Sequence, residues 1–323
     1  MQARIMPPGS LIEDHGILGT LLTKEEEIIQ SFGFSTAHQA VLGILPRSLL
    51  DIPDLIRSDA DKSDTGGWTP LHWAANYDDA DSLQKLIDLG CVIDARNNLG
   101  ETALHNACKA GSVSCIPLLL AAGACAAPEM TNQGRWTPLH WAVCRTTKHI
   151  PLFIIEQLIA HGARVDARGF GGHSVLHTGC YRPDVVRLLL AHGTVDANDT
   201  ADNGNTPLMF TVKHSAAESV AVLLEAGADV RRVNLRKQNI LHLAAYGADL
   251  KTLRYLLEMS DLRDVDPVLV DKERGMTPSQ AFHSEHRLVL AAESEEEKAG
   301  VVFEALVEKA RVLWAKGQVV VRY

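Results

Sequence analysis

Fourteen histidines in 323 residues are the first candidates for chemistry, because an imidazole near neutral pH can act as general base, general acid or metal ligand. Six of them, His38, His72, His105, His140, His177 and His242, occupy one recurrent slot, three residues after a Ser, Thr or Asn. His283 and His286 are three apart and can share a helix face, but no third ligand stands at a zinc spacing. A chemically richer group is Tyr181, Arg182, Phe210, Thr211, His214 and Tyr246. Aromatic walls with a His and an Arg suit a small, partly anionic ligand. His214 with Tyr181 or Tyr246 would then supply an acid and a base. The chain has no nucleophile elbow, phosphate loop, metal-ligand set or paired-carboxylate motif. No catalytic residue, metal or cofactor is therefore expected, and an enzyme is the lesser reading. Six cysteines contain no Cys-x-x-Cys and read as reduced core thiols.

The elements that position these residues come from a repeat. Gly67-Trp68-Thr69-Pro70-Leu71-His72 and Gly204-Asn205-Thr206-Pro207-Leu208-Met209 are copies of one string. With the Thr or its substitute as register, copies fall at Ser35, Thr69, Thr102, Thr137, Ser174, Thr206, Asn239 and Thr277, in steps of 34, 33, 35, 37, 32, 33 and 38 residues. A period near 33 means a stacked array. Thr caps a helix N-terminus through its hydroxyl, and Pro at the first helical position lacks only an N–H that would be unpaired anyway. Thr69-Pro70, Thr137-Pro138, Thr206-Pro207 and Thr277-Pro278 are thus helix starts. Gly90, Gly123, Gly162, Gly193 and Gly227 each follow an apolar pair such as Leu119-Leu120, Leu189-Leu190 or Leu223-Leu224, where a second helix ends in the left-handed conformation. Small pairs such as Ala74-Ala75 let neighbouring helices approach, and one repeat alone could not bury its apolar face.

Motif, apolar pair, Gly and period together resemble the ankyrin repeat over about residues 31–290, as in stand-alone ankyrin-repeat proteins of eukaryotes, fungal ones among them. The resemblance implies an all-α solenoid of about eight repeats, each two antiparallel helices and a hairpin-like loop, with degenerate capping units at both ends. It also implies that the motif His is a structural hydrogen-bonding residue. The array reads as one domain: an irregular leader over 1–22, a degenerate N-terminal cap over 23–66, repeats over 67–292, and a capping helix and tail over 293–323. Thr23-Lys24-Glu25-Glu26 opens the first cap as a capping box, and Pro46 and Pro53 break the second helix of that unit. Near the other end, Phe303, Leu306, Ala310 and Leu313 make an apolar stripe on a helix over about 299–316 that covers the last repeat or meets a partner. Val319-Val320-Val321 has β propensity and no evident mate.

Composition narrows the function. A formal charge of −9 argues against affinity built on neutralising phosphates, so nucleic acid is not an expected partner. The run 117–128 is too short to span a membrane and residues 1–20 lack a signal pattern. The expectation is a soluble chain of the cytoplasm or nucleus.

The resemblance implies binding through loop tips and exposed first-helix residues that line a concave face. Here that row reads Asn76 and Tyr77, Lys109, Cys144 and Arg145, Tyr181 and Arg182, Lys213 and His214, then Tyr246, which is basic and aromatic in an acidic protein. Tyr and Arg dominate binding hot spots. Trp68 with Trp73 and Trp136 with Trp141 form two matched pairs that either stack on a ligand or pack between helices. The string also fails in two places. Gly179-Cys180 replaces Ala-Ala, although Gly inside a helix costs about 1 kcal/mol, and Met209-Phe210-Thr211-Val212 replaces His-x-Ala-Ala. An insertion, Arg145-Thr146-Thr147-Lys148-His149, lengthens the third connection.

The expected function is a protein-interaction module that takes a protein or peptide, acidic or aromatic in character. Its expected contacts are Trp73, Tyr77, Trp141, Arg145, Tyr181, Arg182, Phe210, Lys213, His214 and Tyr246. The alternative is a small-molecule binder or unusual enzyme using a pocket at the fourth and fifth repeats.

Overall fold

Residues 31–126, 132–144, 150–259, 261–285 and 295–320 are described by the computed structural model. The expected leader, the capping box at Thr23, the whole insertion with Arg145, His286 and Val321 lie outside these residues.

Contacts divide the chain into two compact units, residues 1–142 with 146–164 and residues 143–145 with 165–323. In the first, α1 (Thr36–Val41) leads into a tight 3-10 turn (Arg47–Asp51) and the short α2 (Pro53–Ile56). The two prolines thus divide what would otherwise be a regular second helix. Helices α3 (Pro70–Tyr77), α4 (Ala80–Asp88), α5 (Ala103–Ala110), α6 (Cys115–Ala121), α7 (Pro138–Val143) and α8 (Leu152–Ala160) follow as antiparallel pairs. The second unit has a 3-10 turn (Phe170–Gly172), then α9 (Val175–Gly179), α10 (Pro183–Ala191), α11 (Pro207–Lys213), α12 (Ala217–Glu225), α13 (Ile240–Gly247), α14 (Leu250–Met259), α15 (Pro278–Glu285) and α16 (Glu295–Val320). Within each unit first helices stack on first helices and second on second: α3 on α5 and α4 on α6, α11 on α13 and α12 on α14. The described residues contain no strand, only an isolated bridge between Arg168 and Ser174.

Each layer buries one apolar stripe. Leu119, Leu189 and Leu223, the first members of the apolar pairs, are fully buried. The five expected stop glycines all have positive φ, from 67° to 94°, which fits a conformation that L side chains avoid. No two cysteines are joined in a disulfide.

The motif His explains how layers register. His72 sits at the third position of α3, where Thr69 N–H donates to its Nδ1 at 3.1 Å and Thr69 Oγ1 lies 2.8 Å away. With Nδ1 accepting, Nε2 carries the proton and donates to Glu101 O of the next repeat at 3.0 Å. The imidazole therefore does the work of Glu or Gln in a capping box and also ties one repeat to the next. His38 reaches Trp68 O, His105 reaches Trp136 O, His177 reaches Asn205 O and His242 reaches Met276 O in the same way. Burial lowers the pKa of His38, His72 and His242 and pushes that of His177 to about 4. These neutral rings are construction, not acid/base machinery.

Helix α16 packs along α14 and touches α13 and α15. Phe303, Leu306 and Ala310 are buried, Leu313 half-buried, Phe303 stacks on Phe282 at 4.3 Å between centroids, and Lys309 Nζ donates to Leu257 O at 2.6 Å. Val319 and Val320, which their β propensity marks as strand-like, continue this helix. Propagation from a packed helix outweighs a preference that depends on having a pleated neighbour.

Candidate functional site

The rows of side chains exposed along the first helices follow from the capped start. With the motif Thr as origin, the third position turns inward as His, while the fourth, seventh and eighth project along one face.

In the first unit this face is aromatic. Trp73 is half-buried, 4.9 Å from Trp68 and 5.9 Å from Tyr77 between ring centroids, with Phe34 edge-on at 5.7 Å. Its indole N–H donates to Asp64 Oδ2 at 3.0 Å. Trp141 pairs with Trp136 at 4.5 Å. The ammonium of Lys109 lies 4.7 Å over the Trp141 ring and 3.4 Å from Glu101 Oε1. Both tryptophan pairs thus pack against their own repeat while keeping part of their surface exposed. Burial raises the Tyr77 phenol above its ordinary pKa, so it is neutral across the physiological range.

In the second unit the expected residues separate into two groups. Tyr181 meets His214 edge-on at 5.5 Å, and His214 lies over Phe210 at 6.4 Å. Phe210 in turn receives the edges of His173 and His177 at 5.0 and 5.5 Å. Arg182 does not reach this cluster's open side alone, because its Nη2 pairs with Asp184 Oδ2 at 2.8 Å. The other group borders an open cleft of about 500 Å³ whose walls include Phe210, Lys213, Tyr246, Asn205, Arg236 and Arg274. Tyr181 and His214 are not among its lining residues. The cleft belongs to the fifth, sixth and seventh repeats, one step along from the substitutions at Thr178–Arg182. Gly179 has a packing reason of its own, since a Cβ there would stand 3.0 Å from Val185 and 3.1 Å from Val143.

Tyr246 is poorly suited to acid/base work. Its hydroxyl donates to Asp271 Oδ2 at 2.7 Å, and burial together with that carboxylate pushes its pKa up to about 12. Burial alone would raise Asp271, but donors from Tyr246 and from the Arg274 and Met276 backbone hold its carboxyl at about 2. Arg274 lies 5.2 Å over the Tyr246 ring and pairs with Glu285, and Arg236 pairs with Glu273 at 2.7 Å. Lys213 has no ion pair among the described residues. The arrangement offers hydrogen bonds, ring faces and charge for binding.

Sequence reasoning missed the hairpin-tip contributors Asn203, Asn205, Arg236 and Arg274, which reach the cleft only after three repeats stack. It also missed the carboxylates Asp64, which accepts the Trp73 N–H, and Glu101, which pairs with Lys109. A signal was present for Asp64: it fills the slot five residues before the motif Thr that Asn97, Asn132 and Asn234 fill in other repeats.

A chain of capped helix pairs with a face of projecting rings and charges defines a helical-repeat interaction protein. A family model described as "Ankyrin repeats (3 copies)" matches residues 38–126, 71–169, 152–234 and 181–271, so the chain belongs to the ankyrin-repeat family. It is a protein-interaction module of that family. It is 32% identical over 191 residues, 58% of the chain, to the putative palmitoyltransferase ZDHHC13 of Danio rerio, and 26% identical over 230 residues, 67% of the chain, to the B-cell lymphoma 3 protein homolog of Mus musculus. The aligned parts are 28% and 50% of those relatives, so the chain spans half their length or less. Among solved structures, the human ASB11 ankyrin repeat domain superposes with a TM-score of 0.54 at 26% identity, covering 65% of this chain and 91% of that one. The ankyrin repeat domain of Bcl-3 gives 0.51 at 25% identity, covering 74% and 99%. No described helix is long and apolar enough to cross a membrane.

Proposed function

We propose that the chain binds a protein or peptide segment along the exposed faces of its first helices, with Trp73, Tyr77 and Trp141 as anchors in the first unit and Phe210, Lys213 and Tyr246 in the second. The observation that carries this is positional. The histidines at the third position are consumed inside the repeats, while the fourth, seventh and eighth positions include aromatic and cationic side chains, among them Trp73, Tyr77, Trp141, Phe210, Lys213 and Tyr246, that keep part of their surface exposed. Large rings lose little entropy on contact and carry most binding energy at interfaces. In the second unit the uncompensated Lys213 beside Phe210 suits an acidic or aromatic segment, because charge complementarity speeds and orients encounter. Tyr181, Arg182 and His214 flank it, and Arg145 belongs to the same register. We place this activity inside the cell, in cytoplasm or nucleus.

A small molecule is the second reading, favoured by the cleft of about 500 Å³, which is within the range of ligand sites. The test is capture from native cell extract on the immobilised chain, with protein and metabolite detection, repeated with Phe210→Ala/Lys213→Glu and with Trp73→Ala. Partners retained by the wild type and lost from either variant, with helical circular dichroism unchanged, support the reading. Retention by both variants overturns it. A co-purifying metabolite lost with Phe210→Ala/Lys213→Glu would favour the second.

A further inference from the structure

The two tryptophan pairs of the first unit are copies of one arrangement with different surroundings, and the difference identifies a ligand. At the second pair the preceding repeat supplies a lysine at its seventh position and a glutamate just before its motif Thr. These are Lys109 and Glu101, which place an ammonium 4.7 Å over Trp141 and 3.4 Å from a buried carboxylate. The protein thus holds a lysine side chain on this kind of surface in its own fold. At the first pair the corresponding residues are Leu42 and Phe34. No described cation lies over Trp73, and in place of Glu101 a phenylalanine ring meets Trp73 edge-on at 5.7 Å. Tyr77 adds a further ring 5.9 Å away.

Negative charge is nevertheless present. Asp64, 8% exposed, lies at the N–H edge of the Trp73 indole and receives its N–H at 3.0 Å. Donation to an anion makes the ring face more negative, and an ammonium over a tryptophan face gains most where water is partly excluded. We infer that the half-exposed surface of Trp68, Trp73 and Tyr77 beside buried Asp64 receives an alkylammonium group, a lysine-type side chain of the partner segment. This rests on the reading that the first-helix faces bind a partner.

The hydrogen bonding sharpens the class. Asp64 Oδ1 already accepts from the Gly66 and Trp68 backbone N–H groups at 2.8 Å each, and Oδ2, in a residue only 8% exposed, accepts the indole N–H. The carboxylate acts through its field, and the incoming cation finds ring faces instead of acceptors. A nitrogen carrying methyl groups loses nothing under those conditions. The surface therefore accepts lysine and its N-methylated forms and rejects a neutral acyl-lysine.

The experiment uses the full chain and flexible Gly/Ser peptides of about eleven residues with one central lysine, trimethyllysine, acetyllysine or norleucine, followed by fluorescence anisotropy. Lysine and trimethyllysine peptides should bind with Kd values within about threefold of each other. The neutral peptides should bind about three- to thirtyfold more weakly, the range spanned by exposed to desolvated cation–π contacts. Trp73→Leu should give the same loss. Asp64→Asn, which keeps the turn that Asn97 makes at its own register, should weaken both cationic peptides and leave the neutral ones unchanged. Lys109→Met frees the Trp141 face and should raise the stoichiometry from one to two. Equal binding of all four peptides, or cationic binding unaffected by Trp73→Leu, overturns the inference. If the peptides bind alike while partner capture still depends on Trp73, the cation reading fails and the proposed function stands; if capture is also independent of Trp73, the first-unit face fails as a binding surface.

Discussion

Lowering the pH from 7 to 5 should destabilise the protein by about 2 kcal/mol through His177 alone. His177 is 2% exposed, and burial depresses its folded pKa to about 4 against an ordinary value of about 6.5. A base with a lowered folded pKa is protonated first in the unfolded chain, so stability is full above pH about 6.5 and is lost as the pH falls toward 4. At about 1.36 kcal/mol for each pH unit between those limits, the loss reaches about 2 kcal/mol at pH 5 and about 3.4 kcal/mol well below pH 4. Structurally, the proton would have to enter at Nδ1, which accepts from Ser174, while Nε2 stays bonded to Asn205 O. Urea unfolding followed by far-ultraviolet circular dichroism at pH 7, 6 and 5 measures the total slope. The informative partner is His177→Gln, because Gln280 already makes the same cap without a titrating ring, accepting Thr277 N–H at 2.9 Å. The variant should be less sensitive to pH by about 2 kcal/mol between pH 7 and 5. His38, His72 and His242 shift in the same direction and add to the slope. An unchanged slope in His177→Gln would refute the reasoning.

The fifth repeat has Met209 in the histidine slot and therefore lacks the bond to the next layer; Met209→His should restore a donor to Gln238 O and raise stability by about 0.5–1.5 kcal/mol in the same urea assay. Gly247 lies against the Lys213 backbone carbonyl, which a Cβ would overlap; Gly247→Ala should cost about 1–3 kcal/mol and lower Tm, since α11 and α13 must move apart. Phe303→Ala removes the ring stacked on Phe282 and should cost about 3–5 kcal/mol, seen as faster proteolysis within α16 than in the wild type.

Much of this fold was legible because each repeat is decided locally. Thr69-Pro70 starts a helix wherever it stands, and Gly227 ends one for the same reason it would in isolation. The period then shows that the pieces stack. What the sequence could not convey is which side chains meet after stacking. Lys109 and Trp141 are 32 residues apart, and only the packing of α5 beside the next repeat brings an ammonium over that ring. Tyr246 looked like a proton donor until its hydroxyl was placed on Asp271, 25 residues away. The cleft formed one repeat beyond the substitutions at Thr178–Arg182 because hairpin tips, including Asn205 and Arg236, build its walls. β propensity misled at Val319 and Val320, where a helix carried through β-branched residues.

Hydrogen exchange on the chain, free and bound to a captured partner, tests the binding faces most directly. Protection should appear at the ends of the first helices, around residues 73–77 in the first unit and 210–214 and 243–247 in the second. Protection confined to the second helices α4, α6, α10 and α12, with the first-helix faces exchanging as in the free chain, would contradict the central claim.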